Sequence, residues 1–260
     1  MDLQLAGRRA LITGASQGIG EGLAEAFARE GVNLLLVARN EVRLLAVKTR
    51  LSESYGVAVE ILPGDLTAPG VIDAIAAVAG DVDILVNNAG SIPGGNLESV
   101  SEASWREGWD LKVYGYINLT RTIYPIMRDR GGGVIVNNIG NAGQVYDPDY
   151  VAGTSGNASL MAFTRALGGR SLDDGIRVVG VNPGPVETER IYKLLRRRAL
   201  DLYGDESQFT RLLERYPLNR PATVPEVVDL MVFLASDRSG YTSGTIVTVD
   251  GGISSRHSII

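Results

Sequence analysis

The chain of 260 residues is 45% hydrophobic and 21% charged with a formal net charge of −5, which suits a soluble globular protein and offers a nucleic acid no basic surface. It has no cysteine, so disulfides, thiol nucleophiles and thiolate metal sites are excluded. Its single histidine, His257, stands near the last residue, so neither a Ser-His-Asp triad nor a metal site is expected. No secretory leader and no membrane-spanning run is expected, which points to a cytoplasmic protein with no membrane partner.

Short aliphatic runs alternate with longer amphipathic stretches. A strand at Ala10–Thr13 precedes a helix over about 18–30, and Asn33–Ala38 precedes one over about 40–54. Val57–Pro63 leads to 69–80, Val82–Val86 to 101–129, and Gly133–Asn138 to 153–172. Ile176–Asn182, a helix at 223–236 and a last strand at Thr245–Val249 complete the series. Continuous Val/Ile/Leu character suits strands buried on both faces. The alternation predicts a single α/β domain over residues 1–260, a doubly wound seven-stranded parallel sheet with helices on both faces. One stretch, Pro185–Tyr216, interrupts the rhythm with charged helical sequence. It leaves the carboxyl end of a strand, where open α/β sheets bind ligands, and is expected to be a substrate lid, although a structural excursion would read the same way.

The first strand runs into Thr13-Gly14-Ala15-Ser16-Gln17-Gly18-Ile19-Gly20 and then a helix. Such glycines permit a tight turn and close approach of backbone to a pyrophosphate, and the helix N-terminus offers free N–H groups and a positive dipole end. A dinucleotide site is expected there. At the end of the second strand an acidic residue would bind a ribose 2′-hydroxyl; Ala38-Arg39 stands there instead. Arg39 can bond a 2′-phosphate, so the cofactor is expected to be NADP, with NAD possible and with no second positive charge from Gln17.

The Gly-x-x-x-Gly-x-Gly spacing resembles the short-chain dehydrogenase/reductase family, and the resemblance covers essentially the whole chain. Asn87-Asn88-Ala89-Gly90 is similar to the family's motif after the fourth strand. Asp65-Leu66 stands where the family contacts adenine. Pro183-Gly184-Pro185-Val186-Glu187-Thr188 matches its Pro-Gly turn, whose Val and Thr face the nicotinamide carboxamide, and Asp250-Gly251-Gly252 closes the last strand in the family manner. The resemblance implies a Rossmann fold with Gly14, Ser16, Gln17, Gly18, Ile19, Gly20, Arg39, Asp65, Leu66, Asn88, Ala89, Gly90, Pro183, Gly184, Val186 and Thr188 at the cofactor. It also implies a dimer or tetramer paired through helices 101–129 and 153–172, whose Tyr116, Leu119, Ile123, Leu160 and Phe163 exceed what one sheet face needs.

The family's chemistry uses an asparagine, a serine, a tyrosine and a lysine. Alignment without gaps through Trp105, Val134–Gly143 and Ala158–Leu167 puts Lys112, Gly140, Gly153 and Asn157 at those positions. Taking Tyr150 as the family tyrosine would need three extra residues in a helix, which at about 100° per residue turns its buried face toward solvent. One reading is a cofactor-binding protein without redox chemistry, or a lyase or isomerase on the same scaffold. The other is a small-molecule carbonyl or alcohol oxidoreductase in which Lys112 and Tyr150, with Asn157, replace the lost groups, because a lysine beside a phenol stabilises phenolate. Packing or ion-pair roles for Tyr150 and Lys112 stay open. Asn138 and Asn141 could donate to a substrate oxygen or merely satisfy a turn. Glu189, Arg190, Lys193, Arg196, Arg197 and Arg198 give the expected lid a cluster that could bind an anion or could simply be solvated.

Overall fold

The aliphatic runs become seven strands: β1 (Arg9–Thr13), β2 (Asn33–Ala38), β3 (Val59–Pro63), β4 (Ile84–Asn87), β5 (Gly133–Asn138), β6 (Ile176–Pro183) and β7 (Thr245–Val249). The structure is a computed structural model describing residues 1–256, and His257 lies outside the described residues. All the strands are parallel, in the order β3-β2-β1-β4-β5-β6-β7. The winding direction reverses between β1 and β4, which leaves a crevice at their carboxyl ends. This is the doubly wound Rossmann-like sheet that the alternation predicts.

The nine helices described are α1 (Gly18–Arg29), α2 (Glu41–Tyr55), α3 (Val71–Val78), α4 (Glu102–Trp109), α5 (Gly115–Asp129), α6 (Val151–Gly168), α7 (Glu189–Tyr203), α8 (Thr210–Leu213) and α9 (Val224–Ala235). Successive strand residues point to opposite faces. Ala10 and Ile12 therefore pack with Leu23 and Phe27 of α1, Leu44 of α2 and Met231 of α9. Leu11 packs on the other face with Ile75 of α3 and Leu119, Ile123 and Met127 of α5. Both faces of each inner strand are dry, which explains the continuous hydrophobic runs.

Three expectations change. The single helix expected at 101–129 is two, joined by a π-helical turn at Asp110–Tyr114 that carries Lys112. Such a turn holds one extra residue, which local periodicity does not reveal. The helix expected at 153–172 starts at Val151 and stops at Gly168, where a Cβ would be 2.8 Å from Val178 O of the sheet. Of the apolar residues expected to exceed the needs of one sheet face, Tyr116, Leu119, Ile123 and Leu160 are buried within this one chain and Phe163 is half-buried. The sheet and helices of a single subunit already use them.

The segment from Pro185 to Tyr216 is helical, as expected. Thr188 caps α7, its Oγ1 accepting from Ile191 N at 3.4 Å. α7 and α8 close a small core of Leu195, Ala199 and Leu212 against Tyr192 and Phe209, separate from the two sheet-facing cores. Among the described residues no helix is long and apolar enough to cross a membrane.

A buried polar ladder ties the middle of the sheet to two helices. Asn87 and Asn137 are register partners on β4 and β5. Asn87 Nδ2 donates to Thr120 Oγ1 of α5 at 3.0 Å and to Asn137 Oδ1 at 2.8 Å; Asn137 Nδ2 donates to Thr164 Oγ1 of α6 at 2.9 Å. Asn137→Leu keeps the volume but leaves polar partners unpaired, at about 1–3 kcal/mol. Urea unfolding should show that loss as a lower midpoint with an unchanged slope.

Candidate active site

Thr13 ends β1 at the switch point, and its hydroxyl accepts from Asn88 N at 2.9 Å and Ala89 N at 3.0 Å at the end of β4. Asn88 Nδ2 returns a bond to Thr13 O at 2.9 Å, and Asn88 Oδ1 accepts from Asn138 Nδ2 at 2.7 Å. One asparagine thus joins the loops after β1, β4 and β5. The glycine turn closes onto it. A Cβ on Gly20 would overlap Gly14 O and stand 2.6 Å from Asn88 Nδ2, and Gly14 itself has φ +68°. The turn opens α1 with backbone bare of side chains, which is the surface a pyrophosphate fits at a helix N-terminus. Ser16, Gln17 and Ile19 lie between these glycines, and Thr188 Cγ2 lies 3.3 Å from the Cβ position of Gly18, so the base of α7 borders the same turn.

At the outer end of the crevice Arg39 lies 3.6 Å from Asp65 Oδ2. Burial pushes the Asp65 carboxyl up. Bonds from Thr67 N at 3.0 Å and Thr67 Oγ1 at 2.8 Å, together with Arg39, outweigh that and hold it below its usual value. Leu66 behind it is buried. Gln17 carries no charge, but a second cation stands beside it. The Arg43 guanidinium donates to Gln17 Oε1 and also lies 3.9 Å from Glu189. The signal for Arg43 was Asn40, which caps α2 by accepting from Arg43 N and so fixes residue 43 in the first turn.

At the inner end Lys112 runs along Gly90, where a Cβ would be 2.8 Å from Lys112 Cδ. Its ammonium donates to Ile139 O and, at 2.9 Å, to Asn157 Oδ1. Burial, helped by the Arg190 charge, pushes Lys112 down to about 7. Gly140 has φ +123°, and a Cβ there would stand 3.0 Å from Asn157 Nδ2. Tyr150 is the cap residue of α6, and its ring covers Gly153, so that a Cβ on Gly153 would overlap the ring. The structure therefore brings Lys112 to Asn157 and Tyr150 to Gly153.

The remaining candidates separate. Asn138 is spent on Asn88, and Asn141 Nδ2 donates to Asp250 Oδ2 at 3.1 Å, so both amides serve the turns. Tyr116, one helical turn after Lys112, is fully buried; burial raises its hydroxyl strongly, and it donates to Asn138 O at 2.8 Å. Pro183 ends β6, Gly184 N donates to Val249 O at 2.9 Å, and buried Val186 bridges to Ala222, which sets Thr188 beside the glycine turn.

A family model described as Enoyl-(Acyl carrier protein) reductase matches residues 14–254. The oxidoreductase UcpA of Salmonella typhimurium is 37% identical over 255 residues, covering 96% of this chain and 95% of that protein. The 2,3-dihydro-2,3-dihydroxybenzoate dehydrogenase of Bacillus subtilis is 33% identical, covering 95% of each. The L-sorbose reductase of Gluconobacter frateurii, solved with NADPH and L-sorbose, superposes with a TM-score of 0.92 at 33% identity over 99% of this chain and 100% of that one. The chain belongs to the short-chain dehydrogenase/reductase family.

As a short-chain dehydrogenase/reductase it is an oxidoreductase of a family that works with a nicotinamide cofactor. In this member the crevice depends on Asn88. Asn88→Ala removes the donor to Thr13 O and the acceptor of the Asn138 amide, at about 1–3 kcal/mol for groups left unpaired. It should lower the melting temperature and weaken dinucleotide binding by about tenfold or more, read by fluorescence titration at a temperature where the variant remains folded.

Proposed function

We propose that the protein is an NADP(H)-dependent oxidoreductase for a carbonyl or alcohol group of a small molecule, with proton transfer moved to Lys112, supported by Asn157 and Tyr150. The observation that carries this reading is the half-buried Lys112 ammonium, held on Asn157 Oδ1 and Ile139 O beside Gly90. A bound nicotinamide dinucleotide supplies hydride to the carbonyl carbon or takes it from the alcohol carbon. Gly14, Ser16, Gln17, Gly18, Ile19 and Gly20 hold its pyrophosphate, Asp65 and Leu66 its adenine, and Asn88, Ala89, Gly90, Pro183, Gly184, Val186 and Thr188 its inner half.

Lys112, as ammonium, gives a proton to the carbonyl oxygen during reduction; as the free amine it takes the alcohol proton during oxidation. Asn157 orients it. The Tyr150 ring closes the wall left open by Gly153. The helical insertion at 185–216 acts as the substrate lid, because Arg190 and Arg198 reach from it to Gly90, Ile92 and Asp149. Arg39 and Arg43 favour the 2′-phosphate, in line with the NADPH in the L-sorbose reductase structure.

NADPH should bind more tightly than NADH, and the preference should shrink by about tenfold or more in Arg39→Ala and further in Arg39→Ala/Arg43→Ala, since charge-assisted bonds are worth about 1.5–3 kcal/mol each. Equal affinities before and after substitution would sink the NADP assignment.

Because Lys112 is pushed down to about 7, it is mostly protonated below that pH and mostly neutral above it. The rate of reduction should therefore fall as pH rises through about 7, and the rate of oxidation should rise. Lys112→Met should remove that limb. Lys112→Met should cut turnover by about 10²–10⁴-fold with NADPH binding nearly intact, whereas Tyr150→Phe, which keeps the ring over Gly153, should leave turnover nearly unchanged. Unchanged turnover in Lys112→Met would rule out its role; binding without turnover of any carbonyl or alcohol would leave a cofactor-binding protein without redox chemistry.

A further inference from the structure

The charged residues of α7 are not equivalent. Arg196 stacks over the Phe209 ring, 5.3 Å from its centroid, Arg197 pairs with Asp201 at 3.2 Å, and Arg198 pairs with Asp149 at 3.3 Å. Lys193 is exposed. Arg190 instead reaches back to the cleft, where Nη1 donates to Gly90 O at 3.2 Å and Nη2 to Ile92 O at 3.3 Å.

Gly90 is also the residue against which the Lys112 side chain lies. Two cations therefore meet at one glycine of the crevice. Their partners are the neutral oxygens of Gly90, Ile92, Ile139 and Asn157, and among the described residues neither cation is paired with a carboxylate. Backbone carbonyls orient a guanidinium but do not neutralise it. The two charges repel, and the pressure of Arg190 on Lys112 adds to the burial that lowers its proton affinity. An anion seated between them would relieve that repulsion. A guanidinium has five N–H groups, so two spent on carbonyls leave three, enough for the two parallel bonds of a carboxylate.

We propose that the crevice takes a substrate carrying its own carboxylate, a short oxo acid or the corresponding hydroxy acid, with the carboxylate on Arg190 and the reacting oxygen at Lys112. This rests on the oxidoreductase reading of the same site. The carboxylate is unchanged in the reaction: hydride adds to the carbonyl carbon, the proton adds to its oxygen, and the dinucleotide is oxidised.

The test compares short oxo acids, each beside its primary amide, as substrates of the purified protein with NADPH. The acid should be preferred in kcat/KM by about ten- to a hundredfold at low ionic strength, the range of charge-assisted bonds. The preference should fall with added salt. Arg190→Gln should shrink it, chiefly through KM, and Arg190→Lys should recover part of it. In parallel, calorimetry titrates the same oxo acids into the NADP⁺-saturated protein, wild type and Arg190→Gln, with thermal unfolding checking that both are folded. Carboxylate binding that requires Arg190, with turnover of neither acids nor amides, would uphold the anion site and reject the redox reading. Acids and amides handled alike, or no carboxylate binding to the wild type, overturns the proposal.

Discussion

The crevice depends on one side-chain junction, the bonds between Thr13 and Asn88 at the point where the sheet changes direction. Parallel strands that diverge there have no ladder to hold their last residues together, because each has begun to leave for a different crossover. The Thr13 hydroxyl takes two backbone N–H groups at the end of β4, and the Asn88 amide answers on Thr13 O and takes the Asn138 amide from β5. Partly buried polar groups of this kind are costly to leave unpaired. The junction therefore fixes the separation of three loops, and the bare turn at Gly14 and Gly20 can close on Asn88 only because that amide is held still.

At the inner end a different economy of space operates. Gly140 and Gly153 carry no side chains, and their neighbours fill the space: the Asn157 amide faces Gly140, and the Tyr150 ring covers Gly153. Adding a side chain at either point meets resistance, through a positive φ at Gly140 and through overlap with the ring at Gly153. The widened turn at Asp110–Tyr114 belongs to the same arrangement, since it carries the lysine that bonds Asn157 and Ile139 O. Lys112, Asn157 and Gly140 meet at one point, and Gly153 lies under the Tyr150 ring.

The insertion after β6 is linked to the body by polar contacts. Arg190 reaches Gly90 O and Ile92 O, and the pairs Arg198 to Asp149 and Glu189 to Arg43 join exposed side chains, such pairs contributing at most about 1 kcal/mol each. Its internal cohesion comes from Leu195, Ala199 and Leu212.

Sequence periodicity alone determined the sheet, its direction of winding and most of the helices, because strands buried on both faces must be continuously apolar and their crossovers amphipathic. Short motifs and the family resemblance, not periodicity, singled out Gly14, Gly18, Gly20, Arg39 and Asn88, since a motif confined to one loop travels with its neighbours in the chain. Periodicity did not show the π turn at Lys112, because one added residue in a helical turn leaves the flanking pattern almost intact. Nor did it show Arg43 beside Gln17 or the spending of Asn138 and Asn141 on Asn88 and Asp250, which pair residues from different crossovers. Tyr116, Leu119, Ile123 and Leu160 looked surplus in sequence, yet the sheet buries them. Only tertiary structure decided these points, because the partner of a polar or apolar side chain is set by which loops and faces the winding brings together, and that juxtaposition is encoded in no single stretch of chain.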